Sequence, residues 1–74
     1  DLKGKGLTDI RPLAMLAALQ QVDLEKNRVN DLSPLEQLPR LNAIYIRNNS
    51  DLTLAEVRRA GRVMRQCIIV HNLK

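Results

Sequence analysis

Aromatic side chains are almost missing from this 74-residue sequence, which has no Phe, no Trp and a single tyrosine, Tyr45. Its core must be built from Leu, Ile, Val, Ala and Met, and it has no platform for recognising single-stranded nucleic acid by base stacking. Cysteine occurs once, at Cys67, and histidine once, at His71. One thiol excludes an internal disulfide, and one Cys with one His cannot close a zinc site within the chain. The apolar runs fall far short of the ~18–20 residues a helix needs to span a bilayer, and no signal-peptide pattern opens the sequence. Gly4-Lys5-Gly6 lacks the spacing and the following Ser or Thr of a phosphate loop. No metal or other cofactor is expected.

The sequence does have a phrase that it writes twice. Leu7-Thr8-Asp9-Ile10-Arg11-Pro12-Leu13 returns 22 residues later as Val29-Asn30-Asp31-Leu32-Ser33-Pro34-Leu35. Leu16, Leu19, Val22, Leu24 and Asn27 then recur as Leu38, Leu41, Ile44, Ile46 and Asn49. A fixed period in this range marks stacked units, none of which buries its apolar face alone. The units run from about 1–22, 23–44 and 45–67, with a last strand at 67–72, all within one small domain. Because the pattern opens inside a strand at Asp1-Leu2, we expect the chain to be a segment of a longer protein.

Each unit has two halves. Val22 and Leu24 alternate with polar neighbours, as Ile44 and Ile46 do, which is the period of a strand with one buried face. Asn27 and Asn49 follow three residues after the last strand residue, placed to satisfy backbone groups where the chain turns inward. The return half begins at a proline. Ser33-Pro34-Leu35-Glu36 has the form of a capped helix start, cut short by Pro39 to a turn or two of 3₁₀ character. In the third unit Thr53-Leu54-Ala55-Glu56 reads as a capping box, and the spacing of Leu54, Val57, Ala60, Val63 and Met64 predicts a true α-helix near residues 54–65. Aligning Cys67, Ile69 and Asn72 with Ile44, Ile46 and Asn49 makes this unit one residue longer than the others.

The phrase Leu19-x-x-Val22-x-Leu24-x-x-Asn27-x-Val29-x-Asp31-Leu32-x-Pro34-Leu35-x-x-Leu38 resembles leucine-rich repeat proteins of the 22-residue, internalin-like class. The resemblance is tight over residues 1–51 and looser over 52–73. It implies an α/β solenoid: a short right-handed array with a parallel sheet on the concave face and short 3₁₀ or α segments on the convex face. It also implies a non-catalytic module that binds a protein partner through the concave face. Carried over by position, Asp1, Asp23, Tyr45 and Ile68 form one outward column, and Lys3, Glu25, Arg47 and Val70 form the next. The expected partner-binding residues are Asp23, Glu25, Tyr45, Arg47, Ile68 and Val70. Tyr45 and Arg47 lead this set, because aromatic and Arg side chains dominate interface hot spots.

The repeat also breaks in places. Lys5 stands where an asparagine belongs, and neither end carries a recognisable cap. Cys67-Ile68-Ile69-Val70 is apolar where alternation would place polar residues, so this strand is expected to be covered, or else to be the binding patch. Charge is uneven as well. Residues 1–51 carry seven basic and seven acidic side chains, so the whole net charge of +4 falls on residues 52–74. Arg58, Arg59, Arg62 and Arg65 lie at i, i+1, i+4 and i+7 of the predicted helix, forming a basic stripe. Two alternative readings follow. The stripe contacts an anionic partner (nucleic acid, acidic protein or lipid), or the module is structural, joining an adjoining domain or a second copy through its uncapped ends. Cys67 and His71 share a strand face but read as structural residues, since Cys67 takes a core position.

Overall fold

In the computed structural model, which describes residues 2–73, a 3₁₀ segment (Arg11–Met15) precedes strand β1 (Gln21–Asp23). A second 3₁₀ segment (Ser33–Leu35) leads to strand β2 (Ala43–Tyr45), and helix α1 (Leu54–Val63) leads to strand β3 (Ile68–Val70). The strands form one parallel sheet in the order β1-β2-β3. Parallel neighbours require a crossover between them, and the second 3₁₀ segment and α1 lie in the two crossovers. Val22 pairs with Ile44 at the 22-residue offset of the repeat. The ladder continues past the strands, with Leu24 N–H donating to Tyr45 O at 2.8 Å, Lys26 N–H to Arg47 O at 3.0 Å and Ile46 N–H to Val70 O at 2.9 Å. The Cα trace extends 27 × 25 × 15 Å.

The repeated apolar positions make the core. Leu24, Val29, Leu32, Leu35, Ile44 and Ile46 are buried completely or nearly so, and Val22, Leu38 and Leu41 close around them. From α1 the core takes Val57 and Ala60, followed by Met64 at its C-terminal end, a spacing that keeps one helical stripe inward. Thr53 caps α1 by accepting the Glu56 N–H at 3.1 Å.

Four sequence expectations change. Residues 2–4 form no strand, although Leu2 N–H donates to Asp23 O at 3.1 Å and Gly4 N–H to Glu25 O at 2.9 Å, as a parallel neighbour would. Gly4 and Gly6 adopt φ of +69° and +68°, a bend open to glycine that breaks the extended run. Asp1, expected to begin a column, lies outside the described residues. Second, α1 ends at Val63, and Met64 leaves the helix with its N–H still bonded to Ala60 O at 2.8 Å.

Third, the last unit is longer than its apolar pattern implies. Ile44 pairs with Ile69 and Tyr45 with Val70, an offset of 25 where 23 was expected. An α-helix advances only ~1.5 Å per residue, so a helical return needs more residues to reach the sheet than an extended or 3₁₀ return. The register therefore puts Val70 beside Tyr45 and Ile68 beside Ala43. Fourth, Ser33 does not cap its segment. Asp31 Oδ1 accepts the Ser33 N–H at 2.9 Å, and Asp9 Oδ1 accepts the Arg11 N–H at 3.0 Å in the first unit. Each of these Asp residues precedes its proline by three positions.

The asparagines close the turns. Asn49 donates from Nδ2 to Leu24 O at 3.0 Å and Ile46 O at 2.9 Å, and its Oδ1 accepts the Val29 N–H at 2.9 Å. Asn27 repeats this one unit earlier, donating to Leu2 O and Leu24 O at 2.9 Å and accepting the Lys5 and Leu7 N–H groups at 2.9 Å. Both are buried. The residue before each, Lys26 and Asn48, holds φ of 60° and 64°, the left-handed turn that aims the amide inward. Asn72 joins this ladder only in part. The longer third unit leaves it exposed, its Oδ1 accepting the Asn48 N–H at 3.2 Å and its Nδ2 donating to Asn48 Oδ1 at 2.9 Å.

Replacing Asn49 by Ala would leave several buried backbone groups without partners, each worth about 1–3 kcal/mol. The expected loss in urea unfolding is at least about 2 kcal/mol, whereas Asn72→Ala, at an exposed position, should stay within about 0.5 kcal/mol. Equal effects of the two substitutions would show that the buried amide is not what holds the turns.

Candidate binding face of the sheet

Alternation in β1 and β2 sends Val22 and Ile44 into the core, leaving the residues on either side to form the opposite face. Asp23, Tyr45 and Val70 lie in one row across the three strands, each half-buried. Gln21, Ala43 and Ile68 form the row beside it, and Ile68 is 67% exposed. A depression over β1, β2 and the residues that follow them has a volume of about 400 Å³, and Gln21, Val22, Asp23, Glu25, Tyr45 and Arg47 line it. The structure thus brings Asp23, Glu25, Tyr45 and Arg47 together, while Ile68 and Val70 are both displaced by one row, Val70 standing beside Tyr45 where Ile68 was expected.

Glu25 departs from its expected place as an open carboxylate. It is only 6% exposed, because Arg47 from the next unit folds over it, Nε to Oε2 at 2.5 Å. That hydrogen bond, assisted by the attraction of Arg47, Lys3 and Lys26, holds the Glu25 carboxyl below its ordinary range. The same pairing, with Asp23 adding to it, raises the Arg47 guanidinium. The Arg47 side chain remains half exposed, so it presents a fixed cation beside the Tyr45 ring. Opposite charges 22 residues apart in a repeat column were a readable sign of this pair.

On the other side of the core the basic stripe divides. Arg59 Nη1 lies 2.5 Å from Glu36 Oε1, while its Nε and Nη2 meet the Glu56 carboxylate at 2.8 and 2.7 Å. Glu56 Oε2 also accepts the Leu32 N–H at 2.8 Å. Arg59 and Glu56 therefore clip α1 to the crossover between β1 and β2, so the Thr53–Glu56 capping box is only half formed. The i, i+3 spacing of Glu56 and Arg59 was visible in the sequence. The role of Glu36 was not, because only the fold brings it near. Among the described residues Arg58, Arg62 and Arg65 are exposed and carry no ion pair.

Cys67 and His71 are not joined by a hydrogen bond. The Cys67 thiol lies near its neighbour's carbonyl, Ile68 O at 3.8 Å, and His71 Nδ1 accepts the Leu73 N–H at 3.1 Å. Cys67 is half-buried rather than a full core residue, and that burial pushes its thiol upward, away from thiolate chemistry. Among the described residues no group of three or more His, Cys, Asp or Glu is placed to hold a metal ion, and no helix is long and apolar enough to cross a membrane. No protein-family model matches this sequence, and no curated protein is detectably similar to it.

The clip predicts a pH dependence. Hydrogen bonds from Arg59 and then from the Leu32 N–H lower the Glu56 carboxyl in the folded chain, and the Ser33 N–H lowers Asp31. The unfolded chain, with ordinary carboxyls, takes up these protons first as pH falls. The stabilisation is therefore complete above the ordinary carboxylate range, declines through it and is gone below the lowered values. Glu56→Gln should cost about 2 kcal/mol at neutral pH and flatten the acid limb of a stability-versus-pH curve. An unchanged acid limb would remove Glu56 from this role.

Proposed function

We propose that this chain is a short right-handed leucine-rich repeat array, an α/β solenoid of 22-residue type, acting as a non-catalytic module that binds a protein partner through its sheet face. The repeat reading is supported by the 22-residue register of β1 and β2 and by the paired roles of Asn27 and Asn49. The binding reading rests on one observation. Tyr45 sits in an open depression between Asp23 and Val70, beside an Arg47 that Glu25 has already fixed in place. Tyr and Arg are the commonest energetic anchors of interfaces, and an arginine held before binding loses less conformational freedom on contact. The near-neutral charge of this half of the chain suits a mixed polar and apolar protein surface better than a phosphate backbone.

Peptides selected on the folded protein from a random display library test this reading. Most should lose at least about tenfold in affinity, ~1.4 kcal/mol, on Tyr45→Ala, and keep their affinity on Arg58→Ala. Peptides indifferent to Tyr45→Ala and Arg47→Ala would end the sheet-face proposal.

A second reading draws on Arg58 and Arg62 of α1 and Arg65 just beyond its end, which have no ion-pair partner among the described residues. Such a stripe attracts an anionic partner in a salt-dependent way. Labelled duplex DNA and acidic vesicles, titrated at two salt concentrations, should bind more weakly at the higher salt and more weakly still to the triple Ala variant of these arginines. No binding at low salt would dismiss it.

A further inference from the structure

Arg59 shows how many carboxylates one guanidinium in this fold can hold. Its Nη1 reaches Glu36 while its Nε and Nη2 hold Glu56. Arg47, on the sheet face, holds one. Its Nε donates to Glu25 Oε2, and neither Nη1 nor Nη2 has a hydrogen-bond or ion-pair partner among the described residues. The Glu25 side chain is only 8% exposed and Arg47 52%, so solvent reaches the part of the guanidinium that Glu25 does not cover. Arg11 and Arg28 also meet one carboxylate each. Both are more exposed, at 83% and 69%, and neither lines the depression over β1 and β2.

A guanidinium fixed through Nε keeps its two Nη groups as an end-on fork, whose paired N–H donors match the two oxygens of a carboxylate. On the sheet-face reading proposed above, we infer that this fork is a subsite for the side-chain carboxylate of an Asp or Glu in the protein partner. That carboxylate becomes to Arg47 what Glu36 is to Arg59: the second acid on a guanidinium already oriented by the first. Charge selects the group. Lys3, Lys26 and Arg47 all act on Glu25, and Asp23 acts on Arg47, so three cations stand against two carboxylates. One monoanion brings the cluster to balance. A phosphate dianion would carry it past balance, and a partner cation would add to the excess.

Backbone geometry selects the source of the carboxylate. A chain's terminal carboxylate is captured where backbone N–H groups converge on it. Around Arg47 those groups are already engaged. Glu25 N–H donates to Asp23 Oδ1, Lys26 N–H to Arg47 O and Asn48 N–H to Asn72 Oδ1. What faces a ligand here is a side-chain fork, which suits a side-chain acid. Next to Arg47 on the same face comes the half-buried Tyr45, with Val70 beside it and the exposed Ile68 in the row beyond. An acidic residue with apolar neighbours therefore fits the face as a whole.

Peptides selected on the folded protein test the subsite from both sides of the contact. They should share an Asp or Glu, and exchanging it for Asn or Gln should weaken binding to the wild-type protein about tenfold or more, the worth of a hydrogen bond between charged groups. Arg47→Lys keeps the charge but removes the fork, and at a half-exposed position it should leave the circular dichroism spectrum unchanged. It should weaken the acidic peptides by a similar factor and their Asn or Gln counterparts by less than about twofold. Converting the peptide C-terminus to an amide should change nothing. Peptides that need Tyr45 but tolerate loss of their acid overturn the carboxylate subsite and leave the sheet-face reading standing. So do peptides that lose binding on amidation instead, and an Arg47→Lys that weakens acidic and exchanged peptides alike. A selection that returns no binder, or only peptides indifferent to both Tyr45→Ala and Arg47→Lys, ends both.

Discussion

Everything in this small fold depends on finding partners for backbone groups at the points where the chain turns from strand to return segment. Those turns lie against the apolar core, where an unpaired N–H or C=O is costly and water cannot reach. A primary amide carries both donors and an acceptor, so one asparagine per turn can meet carbonyls from two layers and an N–H from the preceding one. Asn27 and Asn49 do this, and the apolar positions around them are consequently free to close. The left-handed turns at Lys26 and Asn48 serve the same end, since they aim the amide at its partners.

Around that frame, charge is arranged in two different ways. On the sheet face Glu25 is sacrificed as an accessible group to hold Arg47 still. On the opposite side Arg59 binds Glu36 and Glu56 and locks the longer return helix onto its neighbour. In both places one arginine is removed from the pool of mobile surface cations and given a fixed direction. Arg58 and Arg62 of α1, and Arg65 after it, make no ion pair among the described residues, which is why the two sides suit different chemistries.

The repeat was readable because apolar side chains and asparagines are chosen by burial, and burial follows the 22-residue register between β1 and β2. Val22, Leu24, Ile44, Ile46 and both ladder asparagines were placed correctly for this reason. The third unit was not, because an apolar pattern records which residues face inward but not how far the chain advances between them. Ten residues of α-helix advance less per residue, so the register of β3 moved and Asn72 was left exposed, meeting only Asn48 of the preceding turn. Glu25 was misjudged for a related reason. Alternation gives the direction of a side chain from its own strand, whereas its cover comes from Arg47 in another unit. The Asp9 and Asp31 caps were present in both copies of the repeated phrase, and the preceding aspartate was a better cap signal than Ser33.

The amide ladder also has a direction in time. Asn27 closes the turn at Lys5 and Leu7, and Asn49 closes the turn at Val29, so each partner lies 20 or more residues ahead of the asparagine that satisfies it. A polypeptide is made from its N-terminus. Each turn therefore leaves the ribosome before the group that completes it, and stays hydrated until about one more unit has been synthesised. During synthesis this protein cannot finish a layer when that layer is made; it finishes each one with the next.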